Sequence, residues 1–405
     1  MRSRVGPVAV AFVLLLACDS SSGGEAPVKA AENKPAAAQS AEAKSTDAGV
    51  SATDASLAEK CPSFEGLDVA TLPPLPEGPH MEVLDQVWRR VLEKYYEPTI
   101  GCLDWPAIRA EYGAKVAAAE TPAEAYRLMN EMLGRLEQSH FQLHAPGGSG
   151  DETQGPASPS FQVRYIDEAL LVVDSDVASV KTGSALVAVD GRSTTELVER
   201  AKKKSDRPAE LAFFAARGAA AWISCSTAGG THALTFERPS GKTFDTTVAC
   251  KAPKGELVTL GNLSNVPTRV SHRMVEGTSV GVLAFNVWML PMLPRIRHAL
   301  QALNDAGMKS LALDLRGNPG GVGPMAVSVA RLLLAEKASL GRLQYRKMTQ
   351  DFKLTPDPGA FAGPIVVLVD EGTASTSEIF AAGMRDLGRV TVVGGGPSAG
   401  RRCLR

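Results

Sequence analysis

The 405-residue sequence predicts a multidomain α+β chain: an N-terminal helical region, a β-rich module and an α/β core. Three observations carry this. Apolar residues recur at helical spacing between residues 80 and 146. From 159 to 250, apolar and polar residues alternate in short runs broken by Gly and Asp. From 278 to 394, near-continuous apolar runs alternate with helical patterns, the mark of a buried, mostly parallel sheet. The charge is nearly balanced, with 43 Lys and Arg against 44 Asp and Glu, and no basic block stands out. That argues against a nucleic-acid partner.

The N-terminus reads as an export signal. Arg2 and Arg4 precede an apolar run, Val8 to Leu16, too short to span a bilayer. Cys18 follows in "LLAC", which resembles the lipobox of bacterial lipoproteins, where the signal is cut before a cysteine that is then lipidated. An ordinary signal peptide with an incidental cysteine is the alternative. The segment from Asp19 to Lys60 is rich in Ala, Ser, Glu, Lys, Gly and Pro and cannot bury a core. The expected organisation is a signal peptide over 1–17 and a lipidated tether over 18–60. A helical domain over 61–150, a β module over 159–255 and the core over 270–405 follow. The expected location is the bacterial cell envelope, with the exported body held at a membrane by its lipid.

In the helical region, Val83, Val87, Val91 and Tyr95 stand four apart with Leu84 and Trp88 beside them, giving one apolar face. Thr121-Pro122 supplies an N-cap followed by Pro at the first helical position. The β module includes "VKTGSALVAVDGRSTTELVERAKK", which resembles the later half of a PDZ domain, where a strand, a "DG" turn and a helix flank a peptide groove. Cysteines show no CxxC or Cys/His spacing, so no metal is expected. Cys225 with Cys250, at either end of a hairpin-like stretch, and Cys61 with Cys102 are candidate disulfides in an exported protein. Cys403 is left over.

Ligands of a parallel sheet bind at the carboxyl ends of its strands. Two loops fall there, "DLRGNPGG" (Asp314–Gly321) and "DEGTASTSEIFAAGMRD" (Asp370–Asp386). In the second, Ser375 leaves a strand and opens a helix. Such a serine either caps the helix, with Glu378 completing a capping box, or presents its hydroxyl for chemistry beside the helix amides. Thr373 and Ser377 are competing caps.

The paired motifs resemble the C-terminal processing peptidases, the tail-specific protease superfamily related to the tricorn core and the interphotoreceptor retinoid-binding protein. The resemblance covers roughly residues 80 to 398 and implies a ClpP/crotonase-like core. It implies that Ser375 is the nucleophile of a serine peptidase, with oxyanion-hole amides at Gly320 and Thr376. The processing branch takes its lysine base from a "TFGKG"-like segment. Here that segment reads "GGGPSAGRRCLR", which puts Gly400 or Arg401 at the lysine position. Arginine cannot act as a neutral base. The tricorn-like branch instead implies a Ser-His pair, which maps to Ser139 and His140 in "LEQSHFQL", with His140 as general base. As a lone residue, His140 would read as a helix C-terminal cation, and His144 is the fallback base. Asp314 is expected to organise the Gly-rich loop. Asp386 maps to an acidic position of the processing branch, though it is no triad member. The acid of a His-based triad lies downstream in the resembled family and no residue for it can be named before Arg405, so the resemblance implies an incomplete, truncated or frameshifted core. The activity expected is endopeptidase cleavage of exported or misfolded polypeptides, without cofactor or metal. The rival reading is an inactive peptide- or ligand-binding protein on the same scaffold.

Overall fold

In the computed structural model of the chain, which describes residues 61–138, 141, 143, 157–260, 263–355 and 357–394, the apolar stripe read around Val87 becomes helix α1 (Met81–Lys94). It buries Leu84, Val87, Trp88 and Val91 and packs on α2 (Trp105–Ala117), which packs in turn on α3 (Pro122–Gly134). Two tryptophans lock the first pair of helices. Trp88 Nε1 donates to the Trp105 carbonyl at 2.8 Å, Trp105 Nε1 donates to the Trp88 carbonyl at 3.1 Å, and the rings stack. Each indole thus satisfies its one polar atom while burying its whole ring. The α3 start is built as the sequence implies: Thr121 accepts from the Glu124 N–H and Pro122 stands in the first turn. A disulfide joins Cys61 to Cys102. This unit also takes in the turn Tyr345–Lys347. There Arg346 donates to the carbonyls of Leu92, Tyr95 and Glu97, groups at and beyond the end of α1, where carbonyls run out of helical amide partners; the Glu97 carbonyl also accepts the Ile100 N–H.

The second unit holds the β module and the core. The module's strands are β1 (Phe161–Ile166), β2 (Ala169–Ser175), β3 (Ala185–Val189), β4 (Arg192–Ser193), β5 (Thr231–Glu237) and β6 (Thr243–Ala249). They pair antiparallel in the order β1-β2-β3-β5-β6, with the short β4 on β3. Asp190 and Gly191, at φ 48° and 78°, close the β3–β4 hairpin, the left-handed pair that a two-residue turn requires. Helix α4 (Thr195–Lys202) follows where the sequence suggests one. Helix α5 (Pro208–Trp222) does not; that stretch lies within a region read as strands and turns. Its Ala-rich run offers little apolar periodicity, because the helix packs by closeness rather than bulk. Ala215 and Ala219 are fully buried, and a Cβ at Gly218 would stand 3.0 Å from Leu197. A disulfide joins Cys225, just past α5, to Cys250, just past β6.

The hairpin β7 (Glu256–Leu260) and β8 (Leu263–Thr268) leads into the core. The core sheet comprises β9 (Val270–Met274), β10 (Val280–Phe285), β11 (Ser310–Asp314), β14 (Ile365–Val369) and β15 (Thr391–Gly394), ordered β15-β14-β11-β10-β9. All neighbours are parallel except β9, which runs antiparallel on β10. Helices α6 (Leu293–Asp305), α7 (Pro324–Ala330) and α8 (Thr376–Asp386) alternate with the strands, as the apolar pattern predicts. Helix α7 ends at Ala330 although the apolar run continues through Leu334. A hairpin, β12 (Ala338–Gln344) and β13 (Thr349–Leu354), then intervenes and packs on α8 so tightly that a Cβ at Gly383 would meet Leu340 at 2.7 Å. Because β11 and β14 pair from Leu311↔Ile365 to Asp314↔Leu368, the two loops at their carboxyl ends emerge side by side. The N-terminal calls, including Cys18, lie outside the described residues, as do Ser139, His140, His144, Gly400, Arg401 and Cys403.

Candidate active site

Three chain segments meet where β10, β11 and β14 end: Trp288, the Gly-rich loop Leu315–Val322, and the loop Asp370–Ser375 that opens α8. Asp370 ties the two loops together. Its buried carboxylate accepts the N–H groups of Gly317 at 2.7 Å and Gly372 at 2.9 Å. Thr373 Oγ1 donates to the Leu315 carbonyl at 2.9 Å and accepts the Asp370 N–H. Asn318, fully buried, spans the remaining gap. Its Nδ2 donates to the Phe285 carbonyl at the end of β10, and its own carbonyl accepts the Ala374 N–H. A turn with this many buried backbone groups is stable only if each finds a partner, and these three side chains supply them.

Ser375 sits at the junction with φ 56° and ψ −118°. A capping serine has extended backbone angles and gives its oxygen to a helix amide. Ser375 departs from that backbone form, its φ being left-handed, although the turn carries the capping box the sequence suggests, with Glu378 as its acid; the Glu378 N–H also bonds to the Ser375 carbonyl at 2.9 Å. A positive φ at a non-glycine residue costs about 1–3 kcal/mol and persists only where surroundings impose it. Here Glu378 helps to impose it, its Oε2 accepting the Ser375 N–H at 2.6 Å. The half-buried Ser375 hydroxyl is thereby presented at a sharp strand-to-helix turn, the setting of an exposed nucleophile.

The neighbouring hydroxyls are occupied. Ser377 Oγ, fully buried, accepts from Trp288 Nε1 at 2.7 Å and donates to the Asn318 carbonyl at 3.1 Å. Thr376 Oγ1 donates to the Gly321 carbonyl at 2.9 Å. Geometry thus separates Ser375 from the two residues that follow it, which motif spacing alone does not.

Gly320 lies directly against the turn. At φ 96°, an added Cβ would stand 2.6 Å from the Ser375 Cβ and 2.9 Å from the Thr376 nitrogen, so only glycine fits. Its N–H donates to Asn318 Oδ1 at 3.0 Å. The Thr376 N–H opens α8 at its first position, where helix amides lack intrahelical acceptors.

One acid is buried behind the turn. Glu378 is 2 % exposed, and its Oε1 has no hydrogen-bond partner. Burial pushes its carboxyl up to about 7 against the opposing effect of the Ser375 N–H. Glu371, on the same loop, forms an ion pair with Arg164 of β1, Arg164 Nε donating to Glu371 Oε1 at 2.8 Å.

The site therefore contains Ser375, Gly320 and Thr376 together. Asp314 holds the start of the Gly-rich loop, as expected, its carboxylate accepting the Arg316 N–H at 3.1 Å, Nε at 2.9 Å and Nη2 at 2.7 Å, while Asp370 organises the glycines. Asp386 is exposed at the far end of α8 and pairs with Arg385, about 15 Å along the helix from Ser375 at 1.5 Å per residue. Sequence reasoning missed Asp370, Asn318 and Trp288. Asp370 and Asn318 stood within the quoted motifs, and their short, polar side chains at strand ends were the available signal; Trp288 had none.

Comparison with known proteins finds peptidases. Residues 279–404 match the model of Peptidase family S41, and residues 76–134 match that of the Tricorn protease C1 domain. A carboxyl-terminal-processing protease of Picosynechococcus sp. is 26% identical over 326 residues, spanning 77% of this chain and 71% of that protein. One from Synechocystis sp. is 26% identical over 328 residues, spanning 77% and 69%. A probable CtpA-like serine protease of Staphylococcus aureus is 31% identical over 117 residues, 28% of this chain and 24% of that protein. Among solved structures, mature CPAF complexed with lactacystin superposes with a TM-score of 0.51 at 15% identity, covering 79% of this chain and 85% of that one. That likeness extends to the fold alone, helices and sheets together. The protein is a serine-type peptidase. Both family models are of peptidases, and the relatives similar to this chain over most of its length are named carboxyl-terminal-processing proteases.

Proposed function

We propose that the chain is an endopeptidase whose nucleophile is Ser375, acting on exported or misfolded polypeptides at a bacterial cell envelope. The observation that carries this is the strained turn: Ser375 stands at a left-handed backbone angle that capping does not require, while Thr376 and Ser377 direct their hydroxyls to the Gly321 and Asn318 carbonyls. The hydroxyl attacks a peptide carbonyl. The Thr376 N–H and the Gly320 N–H receive the developing oxyanion, Gly320 exchanging its bond to Asn318 Oδ1 for the stronger charge. His140 takes the serine proton and returns it to the leaving amine, with Ser139 beside it, as the family resemblance implies. The relatives' names favour this reading over the inactive binding scaffold.

The β module, PDZ-like by its strand–turn–helix sequence, binds an extended peptide segment by strand addition. Its edge strand β1 carries Arg164, whose ion pair with Glu371 reaches the loop that holds Ser375. A lipid at Cys18 holds the body beside a membrane. Cys18→Ser is expected to move the protein from the membrane fraction to the soluble one; unchanged fractionation would reject the lipid.

Hydrolysis of an unstructured peptide tests the catalytic assignment. Turnover should rise with pH along a limb centred at roughly 6 to 7, the range of an imidazole. His140→Ala should lower turnover by about 10⁴-fold, the scale of a lost triad member. A His140→Ala protein that keeps most of its turnover removes His140 from the mechanism.

A further inference from the structure

Cys225, His232 and Cys250 show no metal-binding spacing in the sequence, yet the fold gathers them. Their ligand atoms, two Sγ and one imidazole nitrogen, all lie within 4.8 Å of one another. Cys225 follows α5, Cys250 closes β6, and His232 stands on β5 beside them, its main chain paired with Val248. In the structure the two sulfurs form a disulfide.

His232 is held as a ligand histidine is held. Its Nδ1 lies 2.7 Å from Asp190 Oδ2, and Asp190 Oδ1 is fixed by the Ala233 N–H at 2.9 Å. A carboxylate only accepts, so Nδ1 carries a proton, and in the neutral form of the ring the lone pair lies on Nε2. That Nε2 is buried with no hydrogen-bond partner. A buried acceptor left unpaired is unfavourable, and a carboxylate–histidine pair that fixes the tautomer is the usual support behind a metal-bound imidazole. The protein thus holds an oriented, unused imidazole lone pair beside two cysteines.

We propose that Cys225, His232 and Cys250 form a zinc-class site when their disulfide is reduced. A dithiol reductant takes the disulfide to two thiols and is itself oxidised to a cyclic disulfide. Binding of Zn²⁺ then releases the two thiol protons, leaving two thiolates and His232 Nε2 on the ion, with water as fourth ligand. Tetrahedral coordination at Zn–S of about 2.3 Å and Zn–N of about 2.0 Å places ligand atoms roughly 3.5–3.8 Å apart, so the sulfurs need only separate from bonding distance within the space they already occupy. The ion would tie the end of α5 to the end of β6 as the disulfide does, keeping the module stapled in oxidising and reducing surroundings alike.

Cobalt substitution on the full chain tests this, with Co²⁺ as the spectroscopic probe. Protein reduced by a phosphine, freed of metal with a chelator and titrated with Co²⁺ should develop thiolate-to-cobalt charge-transfer absorption, displaced by Zn²⁺. The oxidised protein should not. In reduced samples, His232→Ala and Asp190→Asn should weaken Co²⁺ binding by about 10- to 100-fold, and Cys225→Ser/Cys250→Ser should abolish the band. His232→Ala retains both cysteines, so its oxidised form reports on folding by circular dichroism. Three results would overturn the proposal: no band in the reduced wild type, a band indifferent to His232→Ala or surviving the double serine variant, or a reduced protein that does not fold even with Zn²⁺ present.

Discussion

Ser375 and Glu378 share one short bond, and the two residues set each other's chemistry. The serine N–H needs an acceptor because the left-handed turn points it inward, and the Glu378 carboxylate supplies one at 2.6 Å. The carboxyl is buried for that purpose, so its charged form is disfavoured and it titrates near 7 instead of its usual 4.5. A group whose folded pKa lies above its unfolded value stabilises the fold most below the unfolded pKa and loses that contribution as pH rises through the folded one. Stability should therefore fall between pH 4.5 and 7, by up to about 3 kcal/mol from this group. Glu378→Gln keeps the shape without the titration and should flatten the profile over that interval. Urea midpoints of the two proteins, measured from pH 4 to 8, check this; parallel curves would show that the Glu378 carboxyl titrates alike in the folded and unfolded protein.

At the scale of elements, the site depends on how closely two loops approach. Gly320 is the point of closest approach, and Gly320→Ala would place a methyl 2.6 Å from the Ser375 Cβ, against backbone on either side. The loops must part, and with them the two candidate oxyanion amides. We expect a folded protein with turnover reduced by at least about 100-fold, the scale of one lost oxyanion donor. Circular dichroism with peptide hydrolysis reads both, and near-normal turnover would detach Gly320 from catalysis. Much of this was legible beforehand. The parallel strands announce themselves as unbroken apolar runs, and Thr121-Pro122 marks the α3 start. Helix α5 was hidden because alanines and one glycine do its packing, which leaves no periodic bulk to read. The β12–β13 hairpin was hidden because its exposed strands alternate weakly. Within the site, the motif pointed to Ser375 and Gly320 but could not choose between capping and chemistry. That distinction rests on a backbone angle and on Trp288, 87 residues earlier in the chain, reaching across to occupy Ser377.

For the whole molecule, the design is a core whose reactive loop is fixed from several directions. Asp370 and Asn318 bind it to the neighbouring loop, Trp288 pins the first turn of α8 through Ser377, and Arg164 of the β module grips Glu371. Such fixing is what holds a strained nucleophile in place before substrate arrives. It also means that removing the Ser375 hydroxyl should leave the fold intact, because Glu378 Oε2 holds the turn through the Ser375 main-chain N–H, whereas Ser377 is a structural member. The most direct test of the central claim is covalent labelling with a fluorophosphonate, followed by peptide mapping, on the wild type, Ser375→Ala and Ser377→Ala. The account predicts one adduct in the wild type, mapped to Ser375, and none in a folded Ser375→Ala protein. An adduct that persists undiminished in Ser375→Ala, or that maps to Ser377, would contradict it.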